Sequence, residues 1–161
     1  MADCCSTNAK AENAPAVMAC LVNGARSKQV GILTVKSLVR RLPLGMPNTQ
    51  YYFCSSPDCD VVYFPLDAKA PSFCRGDLAV RVGVKETEDP LPICYCFGFT
   101  RRDIWDEIEH TGTSIVAKRI AAEIEAGRCT CEVKNPSGKC CLGDIVRTVK
   151  DGLGQEGGAE I

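Results

Sequence analysis

The spacing of apolar residues changes near the middle of the chain. In residues 30–39, 51–53, 61–64 and 78–84, β-branched and aromatic side chains gather in short runs between Pro, Asn, Asp and Gly, a pattern that predicts short strands. After Pro90-Leu-Pro92 the spacing becomes helical: Ile104, Trp105 and Ile108 share one face, and Thr100 with Asp103 three residues on makes a capping box at its start. A break at Thr111-Gly-Thr113 leads into Ile115, Val116, Ile120 and Ile124, again one apolar face, ending at Gly127. Two short helices in a hairpin are expected, and residues 142–149 offer a third helix after the Pro136-Ser-Gly138 turn. Residues 1–16, rich in Ala, Asn, Ser and Lys without periodicity, are expected to be a flexible tail, as are residues 151–161. The predicted fold is α+β, a β-rich lobe over 17–90 followed by a helical lobe over 91–150.

Charge narrows the function classes. The 19 basic and 20 acidic side chains balance, so no long-range field draws the protein to nucleic acid or an anionic membrane. No apolar run reaches the roughly 18 residues of a membrane span. The opening Met-Ala-Asp-Cys-Cys lacks the charged and apolar regions of a signal peptide, and a cytoplasmic protein is expected. A single His and no H-E-x-x-H motif argue against His-based triads and hydrolytic metal sites.

Twelve cysteines change the picture. In a reducing compartment disulfides rarely persist, and these thiols fall into groups instead of scattering as buried apolar residues do, so metal ligation is the leading reading. Cys94-Tyr-Cys96 ends an extended segment before the first helix, Cys129-Thr-Cys131 follows the second, and Cys140-Cys141 opens the third. The hairpin therefore brings six thiols from three segments to one end, and four suffice for an all-cysteine iron–sulfur cluster. Helix N-termini there favour negative charge and lower thiol pKa values. Arg101, Arg102 and Lys139 lie close in sequence, although such charges are more often solvated. In the first half, Cys54 and Cys59 flank a Pro-containing turn between two strands with zinc-knuckle spacing. Core packing is expected for Trp105, Tyr51, Tyr52, Phe53 and Phe64. Tyr95, between two thiols, is open to either an outward position over the site or a packed one.

Several motifs together resemble one family. The run Cys94-Tyr-Cys96-Phe-Gly-Phe-Thr100, the two-helix stretch and the segment from Cys129 through Lys139-Cys-Cys-Leu-Gly143 look like the cluster-binding half of the N-terminal domain of CopZ copper chaperones, itself similar to bacterioferritin-associated ferredoxin. Tyr51-Tyr-Phe-Cys54, Pro57-Asp-Cys-Asp60 and Thr34-Val-Lys-Ser-Leu38 match the zinc half, so the resemblance covers roughly residues 20 to 146. It implies a 2Fe-2S cluster on Cys94, Cys96, Cys131 and Cys141, with Cys129 and Cys140 as alternatives, and a structural zinc held by Cys20, Cys54 and Cys59. Where the family shows C-P-x-C-G, this chain has Cys20-Leu-Val-Asn23-Gly24, so one thiol is missing; Cys74 is the candidate replacement, with Asp60 possible, Asn23 a poor ligand, and His110 placed in the helical half.

The implied function is one-electron transfer in copper handling, converting Cu(II) to Cu(I) for a copper chaperone or copper-exporting ATPase, by an electron carrier and not a turnover enzyme. A redox- or metal-sensing module, a soft-metal buffer, and an electron donor to another redox partner are the alternatives. The family's C-terminal copper domain with M-x-C-x-x-C has no counterpart in this sequence, so copper capture falls to a separate partner or to Cys4-Cys5.

Overall fold

Five short strands, β1 (Val17–Ala19), β2 (Arg26–Val30), β3 (Tyr51–Phe53), β4 (Val61–Pro65) and β5 (Phe73–Cys74), pair antiparallel in sequence order. They belong to a computed structural model that describes residues 13–156. β3 and β4 lie where their aromatic runs predict them. Tyr51 and Tyr52 are buried, Tyr51 stacking on Phe73 with ring centroids 6.0 Å apart and Tyr52 on Phe64 at 5.6 Å. Every residue of β4 is buried, as expected of a strand covered on both faces.

The stretch 30–39 is not one strand. β2 ends at Val30, and helix α1 (Ile32–Leu38) follows, burying Thr34, Val35 and Leu38. That i, i+1, i+4 burial is helical, and tertiary packing has overridden the β propensity of Ile and Val. Residues 78–84 form no strand either. A single bridge joins Leu78 to Val39, the Leu38 carbonyl takes the Ala79 N–H at 2.8 Å, and Gly83–Lys85 turns as a 3-10 helix. Nor are residues 14 and 15 loose: Gln29 Nε2 donates to the Ala14 and Pro15 carbonyls, and the Tyr52 hydroxyl donates to Pro15 at 2.7 Å.

The chain divides into two compact units at Val80 and Arg81, ahead of the expected boundary at residue 90. Segment 81–90 is tied into the second unit by the Gly83 N–H, which donates to the Tyr95 hydroxyl at 2.8 Å, and by that hydroxyl, which donates to the Arg81 carbonyl at 3.0 Å. In this unit β6 (Pro92–Cys94) and β7 (Phe99–Thr100) form a hairpin that runs into α2 (Arg101–Thr111). The expected capping box is present: Thr100 Oγ1 accepts from the Asp103 N–H, and Asp103 Oδ2 accepts from the Thr100 N–H at 2.8 Å. Helix α3 (Val116–Glu125), the one-turn α4 (Cys131–Lys134) and α5 (Leu142–Glu156) complete it around Ile104, Ile108, Val116, Ile120 and Ile145.

Helix α5 runs past the expected end at 149 and takes in residues 151–156, where the sequence predicts a tail. Gly152 permits this, since a Cβ there would lie 2.7 Å from Ile108 Cδ1 and 2.8 Å from the Trp105 ring. Helix α5 thus packs against α2 at Gly152, and Trp105 Nε1 donates to the Thr148 carbonyl at 3.2 Å. No helix of the described residues is long and apolar enough to cross a membrane.

Candidate metal centres

The first centre lies at one end of the five-stranded sheet. Cys20 leaves β1 into a tight turn closed by Gly24, whose φ of +71° strains any residue with a Cβ. Cys54 leaves β3 and Cys59 enters β4, pinned by the Cys54 N–H to Val62 and the Cys59 N–H to Ser56. All three thiols are buried, and their sulfurs lie within 4.8 Å of one another. Cys20 and Cys59 are 3.9 Å apart. Tetrahedral zinc with bonds of about 2.3 Å needs sulfurs about 3.8 Å apart, so the trio fits that ion's size and chemistry.

Burial pushes the Cys20 thiol up. The amides of Asn23 and Val22 and the thiols of Cys54 and Cys59 outweigh it, leaving Cys20 more acidic than an ordinary cysteine. Asn23, standing where the family has its second thiol, spends its Oδ1 on the Ala25 N–H at 3.1 Å. Cys74 ends β5, pairs with Val61 beside Cys59, and packs against this cluster half-buried. Burial and the neighbouring Asp60 and Asp77 carboxylates push its thiol up. Asp60 is exposed and ion-paired with Arg75 at 3.2 Å.

The second centre gathers thiols from three segments of the second unit. The sulfurs of Cys96, Cys129 and Cys131 lie within 4.8 Å of one another, Cys131 being 3.5 Å from Cys96 and 3.3 Å from Cys129. Cys94 and Cys141 share a thiol hydrogen bond, and each is 1% exposed. Cys131 is buried, Cys96 and Cys129 are half-buried, and Cys140 is exposed. The double cysteine is delivered by a turn wired through buried Asn135, which receives the Ser137 N–H and donates to the Lys139 carbonyl at 2.9 Å. His110 is far from this chemistry in kind: an exposed ring on α2 contacting the Asp106 carbonyl at 2.7 Å.

Backbone amides face the sulfurs. The Thr130 N–H donates to Cys96 Sγ at 3.3 Å, the amides of Phe97 and Cys96 face Cys94, and that of Cys141 faces Cys131. The Cys141 thiol, aided by these amides and opposed by burial, pulls Cys94 down to about 6. Cys141, as the donor of that bond and buried, is pushed up. Burial and the Cys129 thiol push Cys131 up to about 12, while the Cys131 amide and thiol lower Cys129. This donor set of sulfur, with amide N–H groups directed at it, suits an anionic thiolate-held metal group. The arginines are engaged away from the sulfurs. Arg101 pairs with Asp89 at 2.9 Å and lies over Trp105, and Arg102 pairs with Asp106 at 2.8 Å.

Tyr95 takes the packed position. Its hydroxyl accepts from the Gly83 N–H at 2.8 Å and donates to the Arg81 carbonyl at 3.0 Å. Gly83 is required, because a Cβ would fall 2.1 Å from the Pro92 carbonyl oxygen. The ring thereby anchors the peptide that carries Cys94 and Cys96 to the 81–85 segment. Tyr95→Phe strands the Gly83 amide and is expected to lower stability by about 1–3 kcal/mol, read by chemical denaturation. Nothing in local sequence marks this contact, which spans twelve residues. Cys4 and Cys5 lie outside the described residues.

Residues 17–78 match the CopZ-type family described as "Zinc binding domain". The copper chaperone CopZ of Archaeoglobus fulgidus is 40% identical over 111 residues, 68% of this chain and 50% of the relative. The chain thus spans about half the length of that curated relative. The X-ray structure of the Archaeoglobus fulgidus CopZ N-terminal domain superposes with a TM-score of 0.65 at 34% identity, covering 81% of this chain and 96% of the other.

Proposed function

Because the chain belongs to the family of the CopZ N-terminal domain, we propose that it is a two-centre metalloprotein of copper handling. A structural zinc is held by Cys20, Cys54, Cys59 and Cys74, and a 2Fe-2S cluster by Cys94, Cys96, Cys131 and Cys141. The partner is a copper chaperone or a copper-exporting ATPase, as the name of the relative suggests.

One observation supports the redox reading: Cys94, Cys131 and Cys141, all buried, lie in one core cluster against which Cys96 and Cys129 pack, while Cys140 is exposed. When bound, an all-cysteine cluster supplies a one-electron couple. The chain's part is to hold four sulfurs as thiolates, to direct amide N–H groups at them, and to keep water away from Cys94 and Cys141. One electron delivered to Cu(II) gives Cu(I), the state that soft thiolates select.

The test mixes dithionite-reduced, desalted protein anaerobically with Cu(II) and a Cu(I)-specific chelator. Rapid formation of Cu(I) together with oxidation of the protein chromophore is expected. Cu(I) appearing no faster than with iron-free protein, whose thiols alone reduce copper slowly, overturns the reading. In the zinc centre, Cys74→Ser is expected to weaken zinc by at least about 10–100-fold, the usual cost of losing even a supporting group. Unchanged zinc affinity and melting temperature in that variant contradict Cys74 as the fourth ligand.

A further inference from the structure

Thr130 stands at the head of α4, where its carbonyl accepts the Val133 N–H at 3.1 Å and the Lys134 N–H at 3.2 Å, the backbone bonding of a helix N-cap. A threonine in that place ordinarily turns its hydroxyl onto the second or third amide of the helix. The Thr130 hydroxyl makes no such cap. It lies instead 4.0 Å from Cys96 Sγ, within reach of a hydrogen bond to sulfur, and the Thr130 N–H donates to the same sulfur at 3.3 Å. One residue thus directs two donors at a thiol 34 positions away in the chain. Cys94 and Cys131 are faced by backbone amides, whereas Cys96 has this hydroxyl as well. Thr130 is exposed and Cys96 half-buried, so the side chain adds no packing to the core and its contact with the sulfur lies toward solvent.

We propose that Thr130 is a positioning residue of the second centre, acting through Cys96, and that its hydroxyl raises the reduction potential of the cluster held there. Hydrogen bonds to the sulfurs are among the protein's means of setting the potential of a thiolate-held cluster. Reduction takes one electron from a reductant such as dithionite, and no bond forms or breaks. The added negative charge is shared by the sulfurs, and a donor aimed at one of them stabilises the reduced state more than the oxidised one. The inference rests on the cluster reading above. It is independent of the choice between Cys129 and Cys131 and between Cys140 and Cys141, because Cys96 is a ligand in every case.

The test is an anaerobic redox titration of iron-containing protein, followed by EPR and visible absorption, for the wild type, Thr130→Val and Thr130→Ser. Valine keeps the size and β-branching of threonine and the backbone N–H but removes the hydroxyl; serine keeps the hydroxyl. Iron content and Trp105 fluorescence are expected to be unchanged in both variants. In Thr130→Val the equilibrium constant for reduction is expected to fall about two- to tenfold, the worth of one hydrogen bond, and a tenfold fall is about 59 mV toward more negative potential for one electron. Thr130→Ser is expected to keep the wild-type potential. A wild-type potential in Thr130→Val overturns the inference, and so does an equal shift in Thr130→Ser, which would trace the effect to the methyl group. Loss of iron from Thr130→Val overturns it as well, by making the side chain a support of the site and not a control on its potential. A wild type without iron fails differently, removing the cluster reading and this inference together.

Discussion

Stripping zinc from the first centre, by chelation or by Cys54→Ser, is expected to unfold the β unit. The strands there are two to five residues long, short for a sheet, so strand pairing alone contributes little to its stability. One cluster of its buried residues closes around Cys20, Cys54 and Cys59 themselves, which pack with Tyr52, Val61 and Phe64. Zinc contributes about 10–16 kcal/mol to folding in zinc-finger peptides. That matches or exceeds the whole stability of an ordinary domain, about 5–15 kcal/mol. The aromatic residues make the outcome readable by unit. Tyr51, Tyr52 and Tyr63 are fully buried in the first unit, and Trp105 is the one tryptophan, on α2 of the second. Near-UV circular dichroism from the tyrosines should collapse on chelation while Trp105 fluorescence stays native. A tyrosine signal that survives complete zinc removal contradicts a metal-dependent fold.

The second large effect is expected at the double cysteine. Cys141→Ser removes a buried thiol hydrogen-bonded to Cys94, just before the first turn of α5, where the Cys141 carbonyl accepts the Ile145 N–H at 3.0 Å. Iron and labile sulfide should fall from about two each per chain to near zero, because a 2Fe-2S cluster with three thiolates lacks one of its four ligands. Cys140→Ser, changing an exposed side chain one residue earlier, should retain both. Elemental analysis with visible absorption after anaerobic reconstitution separates the two variants. Iron retained in Cys141→Ser and lost in Cys140→Ser reverses the ligand assignment within the pair.

Much of this architecture is legible in the sequence. The Thr100 and Asp103 capping box sits in four consecutive residues, and local hydrogen bonds of that kind are written locally. Tyr51–Phe53 and Val61–Pro65 were readable because aromatic and β-branched residues there coincide with burial. Residues 30–39 were misread for the converse reason. Their composition favours strand, but burial of Thr34, Val35 and Leu38 selects helix, and only the packed fold decides that contest. Residues 151–156 carry two glycines and read as tail, yet Gly152 is small so that α5 can approach Trp105 and Ile108.

The centres divide in the same way. Paired thiols separated by one residue, or flanking a short turn, announce themselves by spacing. What supports them does not: the Tyr95 anchor on Gly83, the amides aimed at Cys94, Cys96 and Cys131, and the Asn135 turn that delivers Cys140 and Cys141 are backbone and long-range features without side-chain signatures. The same holds for the contact between Cys129 and Cys131, which no motif of this length separates from ligation.

The most direct test of the central claim, one zinc centre and one 2Fe-2S centre in one chain, is anaerobic purification with metal analysis and EPR before and after dithionite. About two irons and one zinc per chain, with a rhombic spin-one-half signal in the reduced sample alone, are the expected result. Iron absent even after reconstitution, with several zinc or copper ions bound to the thiols in its place, contradicts the account and leaves a thiolate metal buffer in its stead.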